Sequence, residues 1–271
     1  MKTLSRVFIV TCIVAALAPL TWHVMSSFKD QAELAVIPPT LVPHEFTLFN
    51  YNELFARRPF LRYCLNSLTI AGMSSLISVT CASLAAYRLA RGRGRWRSTV
   101  RLALLALAFF PPIVFVFPLY ELIQALGLIN HPWGLILPCA ALNLPFAIWL
   151  LTGSFEQIPF ELEEAAAVDG LTRLQTFRTV IIPLSIPSLV TTGILAFIST
   201  WNEFMFALTF MNVESQKTVT VGIATLSGAF ADEIPYGLIA AGVVASSIPL
   251  IILVVIFQRR IISGLTAGAV K

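Results

Sequence analysis

The chain has 271 residues, of which 57% are hydrophobic and only 12% charged, with a formal net charge of +4. The charged fraction is about half of the roughly 25% typical of soluble domains, which excludes an ordinary soluble protein and indicates an integral membrane protein. The positive net charge does not indicate nucleic-acid binding, because arginines and lysines beside membrane spans report topology.

Six apolar segments meet the requirement of about twenty residues for a transmembrane helix. In chain order they are Val7 to Ser27, Asn66 to Tyr87, Leu102 to Ile123, Trp133 to Ser154, Leu184 to Phe210 and Tyr236 to Phe257. This pattern predicts an all-α membrane protein with six transmembrane helices, in one domain over residues 1–271, and an even number of spans places both termini on the same side.

The first segment also resembles a secretory signal. Lys2 and Arg6 precede a short apolar core, and residues 16–18 resemble a cleavage site. Pro19 directly after that site argues against cleavage, and the apolar character continues to Met25. We therefore expect an uncleaved first span.

Positively charged residues are distributed unevenly between the two sides of these spans. With the N terminus inside, the cytoplasmic segments carry 13 of the 18 lysines and arginines, and the other 5 lie outside. The loop between the second and third spans alone carries six arginines, namely Arg88, Arg91, Arg93, Arg95, Arg97 and Arg101. Because cytoplasmic segments retain positive charge, we predict that both termini are cytoplasmic, and with them residues 155–182 between the fourth and fifth spans.

Two longer polar segments fall on the outer side. The segment from Phe28 to Leu65 mixes prolines with aromatic residues, which suits an amphipathic segment on the membrane surface or, in a simpler interpretation, a packed cap on the helices. The segment from Met211 to Pro235 is long enough to reach a partner above the membrane. The four cysteines show no paired spacing, so we expect neither a disulfide nor a metal site.

Prolines within the spans predict kinks or bends, because proline removes a helical hydrogen bond. They are Pro111, Pro112, Pro118, Pro138, Pro145, Pro187 and Pro249. Fixed bends needed for packing and moving hinges are equally compatible with this pattern.

The cytoplasmic segment between the fourth and fifth spans is charged and alanine-rich. Phe160 to Val168 favour a helix whose glutamates come early, where the helix dipole stabilises negative charge. Asp169-Gly170 is a turn signal, and Thr172 with Gln175 has the capping-box form that starts a second helix running to Ile182. We predict a helix, a turn and a second helix outside the bilayer.

This helical pair could serve as a docking surface. Its alanines at 165 to 167 form a narrow surface that another backbone can approach closely, and the neighbouring acids can pair with basic residues of a partner. An ordinary amphipathic hairpin between two spans would have the same pattern. Local physical chemistry leaves both interpretations open.

The same residues carry a family resemblance. Glu164-Ala165-Ala166, then Asp169-Gly170, then Phe177 and Pro183, resembles the EAA loop of permease subunits in bacterial ATP-binding-cassette (ABC) importers. The placement of this motif before the fifth of six spans fits that family. The resemblance implies a MetI-like importer fold, with residues 155–183 as the cytoplasmic EAA coupling loop.

Two further segments narrow the resemblance. Residues 200–204, Thr-Trp-Asn-Glu-Phe, and the closing residues 263–271 are similar to MalG-like permeases of carbohydrate-uptake importers, and most similar to SugB-like permeases of actinobacterial trehalose importers. The resemblance extends from about Asn66 to the C terminus, and the N-terminal third matches only in pattern. It implies uptake of a sugar across a bacterial plasma (inner) membrane.

The resemblance also implies a heteromeric assembly. Such permeases pair with a second, MalF-like permease, sit on two cytoplasmic ATPase subunits and receive sugar from an extracytoplasmic binding protein. This chain contains no Gly-x-x-x-x-Gly-Lys-Ser/Thr loop for nucleotide phosphates. We therefore expect a transport subunit that is not an enzyme and binds no cofactor, with ATP and Mg bound by the partner ATPases.

Several residues take roles by that resemblance. The ATPase-coupling residues would be Glu163, Glu164, Ala165, Ala166, Asp169 and Gly170, with Glu164 as the ion-pairing residue. An outer loop would face the binding protein through Gly228, Asp232 and Glu233. The cytoplasmic tail, residues 263–271, would run between the ATPases, and an unstructured end is the alternative for its last three residues.

Glu203 is a candidate residue of the translocation path. A carboxylate near mid-span costs roughly 2.5 to 3.5 kcal/mol on insertion scales, so it should face a cavity or a polar partner. Asn202 offers an amide and Trp201 an aromatic face, which together suit a sugar. A purely structural hydrogen bond is the alternative, and the partner permease provides the main sugar contacts in the maltose system.

Other functional classes explain less of the sequence. A proton-coupled secondary transporter would use Glu203 or Glu121 as its proton site, but it would not need the cytoplasmic docking motif. An intramembrane hydrolase would need a nucleophile and a base at one depth, and the scattered serines and three histidines give no such pair. Within the importer class, another oligosaccharide, a polyol or glycerol phosphate are the competing cargoes.

Overall fold

A computed structural model describes residues 2–92, 94–226 and 234–267, and these residues form helices and connecting turns with no β-strand. The helices are α1 (Lys2–Ser27), α2 (Gln31–Leu34), α3 (Phe49–Ala56), α4 (Phe60–Arg91), α5 (Trp96–Ala108), α6 (Val116–Ala125), α7 (Pro132–Glu156), α8 (Glu161–Val168), α9 (Arg173–Thr176), α10 (Ile182–Leu184), α11 (Ile186–Trp201), α12 (Met205–Phe210), α13 (Val219–Ala224) and α14 (Tyr236–Ala267). The predicted all-α class is confirmed.

Among the described residues, four helices are long and apolar enough to cross a membrane without a break. They contain the candidate spans Arg6–Ser27, Phe60–Arg91, Pro132–Glu156 and Tyr236–Gln258. Two bent helix pairs meet the same test together, which gives six spans if each pair counts as one. The helices containing the predicted second and fourth spans extend beyond the predicted limits, because helical structure continues past the apolar core into charged and polar ends.

The third predicted span is broken. Helix α5 and the segment Pro112–Ala125 meet at an angle of 84°. Pro111 is extended with φ −61° and ψ 116°, and Pro112 starts a short 3₁₀ turn that leads into α6. Two consecutive residues without a backbone N–H cannot continue the hydrogen-bond ladder of α5, which explains the break at the predicted prolines.

The fifth predicted span, Leu184 to Phe210, is wrong as one continuous helix. The helical segment Arg173–Leu184 meets α11 at 78°, and α11 itself ends at Trp201 before α12 begins at Met205. The helices of the loop before it also differ from the prediction, because Phe177–Ile181 form a π-helical turn. Such turns widen the backbone locally and are frequent at functional sites.

The chain divides into two compact units, and the first combines Met1–Leu65 with Lys217–Ile251. In this unit the amide of Asn50 donates to the carbonyls of Ser27 and Lys29 at 3.0 and 2.9 Å. The ammonium of Lys29 donates to the carbonyl of Thr40 and lies 5.2 Å from the centre of the Trp22 ring. The outer segment is thereby folded against the end of α1.

The second unit combines Asn66–Gln216 with Ile252–Lys271 and contains the loop between α7 and α11. Its core below that loop consists of Ala82, Ala86 and Ala90 of α4, Ala147, Leu151 and Phe155 of α7, and Phe177 and Ile181 of the π turn. Alanines let helix backbones approach closely inside a membrane. This packing fixes where the loop leaves α7 and where it returns.

Candidate functional site

The loop between α7 and α11 folds largely as its local sequence predicts. Helix α8 spans Glu161–Val168 with three glutamates in its first turn. Gly170 has a φ of +83°, a left-handed conformation that favours glycine, and it turns the chain after Asp169. Thr172 and Gln175 form both hydrogen bonds of the capping box that starts α9. The predicted first helix, turn and capping box are confirmed.

Helix α8 is attached to the C-terminal end of α4 by side chains. The guanidinium Nε of Arg91 donates to Oε1 of Glu163 at 2.5 Å, and the hydroxyl of Tyr87 donates to Oε2 of Glu163 at 2.7 Å. The Nη2 group of Arg91 also donates to the carbonyl of Ile158, in the linker before α8, at 3.0 Å. Charge-assisted bonds of this length are stronger than neutral ones.

The predicted coupling residues divide into two groups by their exposure. The side chain of Glu163 is only 10% exposed because it faces α4, and Ala166 is buried. Glu164, Ala165, Asp169 and Gly170 are exposed. The second group is accessible to a partner, whereas the side chain of Glu163 is already occupied within the chain.

Apolar side chains are exposed beside these residues. Leu162 and Leu174 are roughly half exposed, and Val168 is 87% exposed, although the loop is predicted to lie outside the bilayer. Exposed apolar side chains grouped on one helix outside lipid favour an interaction surface. We call the exposed set formed by Leu162, Glu164, Ala165 and Val168 the outer face of α8.

A cleft of about 790 Å³ lies between α8 and the ends of α4 and α5. Its lining includes Arg88 and Trp96 on one side and Glu163, Glu164 and Ala167 on the other, so the exposed side chain of Glu164 borders both the cleft and the outer face. Because this space is open, α8 rests on α4 through the Glu163 contacts more than through continuous apolar packing.

A second ion-pair cluster lies nearby on different helices. Glu156, the last residue of α7, accepts from Arg97 at 2.5 Å and from Arg101 at 2.9 Å, and both arginines belong to α5. Arg97 also donates to the carbonyls of Leu89 and Ala90 in the last turn of α4, at 2.8 and 3.0 Å. This cluster joins α5, α7 and the end of α4 and does not include α8.

A cavity of about 460 Å³ lies in the membrane part of the second unit. Its polar lining comes from Asn143, Thr192, Ser199, Thr200 and Glu203, with Cys139 beside them. The amide of Asn143 donates to Oγ1 of Thr200 at 3.0 Å, so α7 and α11 are joined by a polar contact next to the cavity. Asn143 was not among the path residues predicted from the sequence, although a single amide within a long apolar segment was a usable signal.

The three predicted path residues do not act together. Glu203 lines the cavity, and its two carboxylate oxygens accept from the backbone N–H groups of Phe206 and Ala207 at 3.0 and 2.9 Å. Asn202 donates to the carbonyl of Ile198 at 2.9 Å, while Trp201 is buried and stacked on a neighbouring phenylalanine. Glu203 therefore caps the helix that follows the break, and it alone of the three lines the cavity.

Some predicted residues lie outside the described part of the chain. Gly228, Asp232 and Glu233 are among them, and so are residues 268–271 of the predicted tail. The backbone of residues 263–267 belongs to α14. Among the described residues, no group of three or more His, Cys, Asp or Glu side chains could hold a metal ion.

The family model described as "Binding-protein-dependent transport system inner membrane component" matches residues 78–266. The chain belongs to this family. The matched segment of this inner membrane component includes α8, both ion-pair clusters and the membrane cavity.

Curated relatives cover nearly the whole permease. The sulfoquinovosyl glycerol transport system permease protein SmoH of Agrobacterium fabrum is 40% identical over 96% of this chain and 90% of its own length. The trehalose/maltose transport system permease protein MalG of Thermococcus litoralis is 40% identical over 95% of this chain and 92% of its own length. The trehalose transport system permease protein SugB of Mycobacterium tuberculosis is 40% identical over 94% and 93%.

Solved structures share the fold of this permease. A chain of a bacterial ABC transporter involved in the import of the acidic polysaccharide alginate matches with a TM-score of 0.80 at 24% identity, over 95% of both chains. A chain of the MetNI methionine ABC transporter matches with a TM-score of 0.59 at 16% identity, over 76% of this chain and 95% of that one. The predicted MetI-like fold is confirmed.

Proposed function

We propose that this chain is one of two permease subunits of an ABC importer that moves a sugar, a disaccharide such as trehalose, into the cytoplasm. The observation that carries the proposal is that three relatives, each 40% identical over at least 94% of this chain, are named as permeases for sugars or a sugar derivative. Two of the three names include trehalose, which makes it the first cargo to test.

The assembly would contain a second, MalF-like permease, two cytoplasmic ATPases that bind ATP and Mg, and an extracytoplasmic sugar-binding protein. One structural neighbour is a complex with a pentasaccharide-bound periplasmic protein, which supports that kind of partner. This chain would supply half of the transmembrane path and no nucleotide site.

The outer face of α8 would dock into a cleft of one ATPase. Its exposed apolar side chains would pack there, and Glu164 would pair with a basic residue of the ATPase. Closure of the ATPase dimer on ATP would displace α8, and the connected spans would move from an inward-open to an outward-open state. Binding energy would thus bias a two-state element.

The membrane cavity supports a neutral, hydroxyl-rich cargo. Its lining contains an amide, three hydroxyl side chains and one carboxylate, and it includes no lysine or arginine. Amide and hydroxyl groups can exchange hydrogen bonds with a polyol, whereas a phosphate would require cationic partners. This lining favours a sugar or polyol over glycerol phosphate in the part of the path that this chain contributes.

A proton-coupled transporter is the second candidate, with Glu203 or Glu121 as its proton site. The two oxygens of Glu203 are already acceptors for backbone N–H groups of α12, which favours a capping role. The docking face of α8 would also have no purpose without an ATPase.

The test is ATP hydrolysis by the purified complex in lipid vesicles, with and without sugar-loaded binding protein. The panel includes trehalose, maltose, a longer oligosaccharide, a polyol and glycerol phosphate. Stimulation by the trehalose-loaded protein, together with uptake of labelled trehalose, supports the proposal. Uptake that persists without the ATPase subunits would contradict the importer class, and stimulation by another loaded cargo alone would contradict the disaccharide assignment.

A further inference from the structure

The cytoplasmic end of α4 holds the α8 region at three points along the chain. Arg91 bonds the carbonyl of Ile158 before α8 and the carboxylate of Glu163 within it. Tyr87 bonds the same carboxylate, and its ring lies 4.9 Å from the ring of Phe177 after α8. Because these points precede, occupy and follow α8, they restrict both its translation along α4 and its rotation away from it.

We propose that Arg91, Tyr87 and Glu163 form the link through which displacement of α8 reaches α4, so that Glu163 is a positioning residue of the coupling loop and not its ATPase contact. The inference rests on the proposed function, because it concerns how ATPase closure moves the spans. It gives the two adjacent glutamates different roles: Glu164 faces the partner, and Glu163 transmits the movement within the chain.

Exposure and hydrogen bonding support this division. Both carboxylate oxygens of Glu163 are bonded within the chain, and its side chain and that of Arg91 are 10% and 15% exposed. An ion pair shielded in this way is weakened less by salt than a surface pair. Removing one partner leaves the other charge partly buried without its counterpart, so the link is sensitive to single substitutions.

The open cleft beside α8 gives this link its importance. Arg88 and Trp96 line the cleft opposite Ala167, so apolar packing does not fill that side of α8. If the Glu163 contacts are removed, the remaining attachments include the bond from Arg91 to the carbonyl of Ile158, the backbone connections and the packing of Ala166 and Phe177. A pull on α8 would then move the loop before it moves α4.

The first test compares transport per ATP in Glu163→Gln and Tyr87→Phe variants with the unmodified complex. Glu163→Gln removes the charge and is expected to lower transport per ATP about tenfold, while ATP hydrolysis continues. Tyr87→Phe removes one of the two side-chain bonds to the Glu163 carboxylate and is expected to lower transport per ATP about threefold. The exchange Arg91→Glu with Glu163→Arg restores opposite charges at the two positions and should recover most of the loss.

The matched control is Glu156→Gln, which breaks the neighbouring ion-pair cluster without touching α8. Its transport per ATP should stay at the unmodified value, even though loss of this ion pair lowers thermal stability. Size-exclusion chromatography establishes that each complex is intact. Equal uncoupling by Glu156→Gln, or normal transport per ATP in Glu163→Gln, would overturn the proposal.

A second measurement does not depend on the cargo. Spin labels at Glu161 of α8 and Leu84 of α4, with the four native cysteines replaced, report the distance between the two helices with and without trapped ATP. If the link is rigid, the labelled chain that keeps Glu163 should show the same distance with and without ATP. In the labelled Glu163→Gln variant, the distance should change when ATP binds. A change in the otherwise unmodified chain would overturn the link. Absence of stimulation by every loaded binding protein would instead count against the proposed function, and the distances would still decide the link.

Discussion

Glu163 and Glu203 are two carboxylates at places where the chain changes direction, and they stabilise it differently. Glu163, in the loop between α7 and α11, binds side chains of α4 that lie more than seventy residues earlier in the chain. Glu203, at the break between α11 and α12, binds backbone N–H groups three and four residues later. The first carboxylate therefore joins two elements, whereas the second stabilises the start of one.

This difference determines what each residue can transmit. A contact between distant elements couples their movements, and its loss should change transport more than stability. A cap satisfies orphan N–H groups, which are costly to leave unpaired in a membrane, and its loss should change stability more than coupling. Substitutions in the two regions can separate these effects.

The largest effect is expected at the turn after α8. An added Cβ at Gly170 meets no other atom within 4 Å, so a large side chain would project from this chain toward its partner. Gly170→Trp should lower transport roughly 30-fold or more, as expected for disruption near the centre of an interface. Gly170→Ala is the matched control, because it carries the same backbone strain at φ +83° without the bulk. Similar transport in the Trp variant and the unmodified complex would contradict docking at this turn.

Removal of the cap in the membrane should mainly reduce stability. Glu203→Ala is expected to lower the free energy of unfolding by about 2 kcal/mol, because two N–H groups of α12 lose their acceptor. The measurement is the thermal unfolding midpoint of the complex in nanodiscs. Glu121→Ala, which removes an exposed carboxylate of α6, is the control. A large rise in the transport KM of Glu203→Ala without a change in midpoint would indicate a cargo contact instead.

A smaller, local effect is expected at the capping box. Thr172→Ala removes the acceptor for the N–H of Gln175 and should destabilise α9 by about 1 kcal/mol, which accelerates amide exchange in that segment about fivefold. Thr179→Ala is the control, because its hydroxyl donates to the carbonyl of Gln175 and caps no N–H group. Mass-spectrometric hydrogen exchange measures both. Equal acceleration in the two variants would show that the cap is not the cause.

The smallest effect concerns the loss of stability at low pH through Glu33, in the segment between α1 and α4. The hydroxyl of Thr40, which donates to Glu33 at 2.5 Å, and the backbone and ring of His44 hold the pKa of Glu33 below its ordinary value of 4.5. Because the folded pKa is lowered, this carboxylate stabilises the fold above about pH 4.5, and the contribution is lost as the pH falls through the folded pKa.

Glu33→Gln should therefore lower the unfolding midpoint at pH 6 and leave it unchanged at the acid end of the range, which flattens the profile. The profile is measured by thermal unfolding of the complex between pH 6 and pH 3. Glu45→Gln, at an exposed carboxylate next to His44, should keep the steeper profile. A profile of Glu33→Gln parallel to that of the unmodified complex would contradict this assignment.

The loop between α7 and α11 is predictable from the sequence because its signals are local. Helix α8, the Gly170 turn and the Thr172 cap each depend on residues within a few positions of one another. The bond between Arg91 and Glu163 joins residues 72 positions apart, and only the folded arrangement of α4 and α7 brings them together. The sequence therefore predicts a coupling segment, but not which of its glutamates is exposed to a partner.

The membrane break was missed for a different reason. Apolar residues continue on both sides of it, so hydropathy predicted one helix from Leu184 to Phe210. The sequence leaves Asn202 and Glu203 as groups for the cargo or for a structural hydrogen bond, and in the structure both side chains bond backbone groups at helix ends. Six spans can be predicted from the sequence because the length of a span depends on composition. The breaks within those spans depend on where backbone groups find hydrogen-bond partners, which composition does not show.

The most direct measurement places a photo-crosslinking amino acid at Val168, on the outer face of α8, in membranes that contain the whole complex. Docking of this face on an ATPase predicts an adduct with an ATPase subunit, and the yield of that adduct should change when ATP is trapped. The same amino acid at Asn212, in the segment predicted to lie outside, should give no ATPase adduct. An adduct with the ATPase from Asn212, or none from Val168 in an intact complex, would contradict docking of this face on the cytoplasmic side.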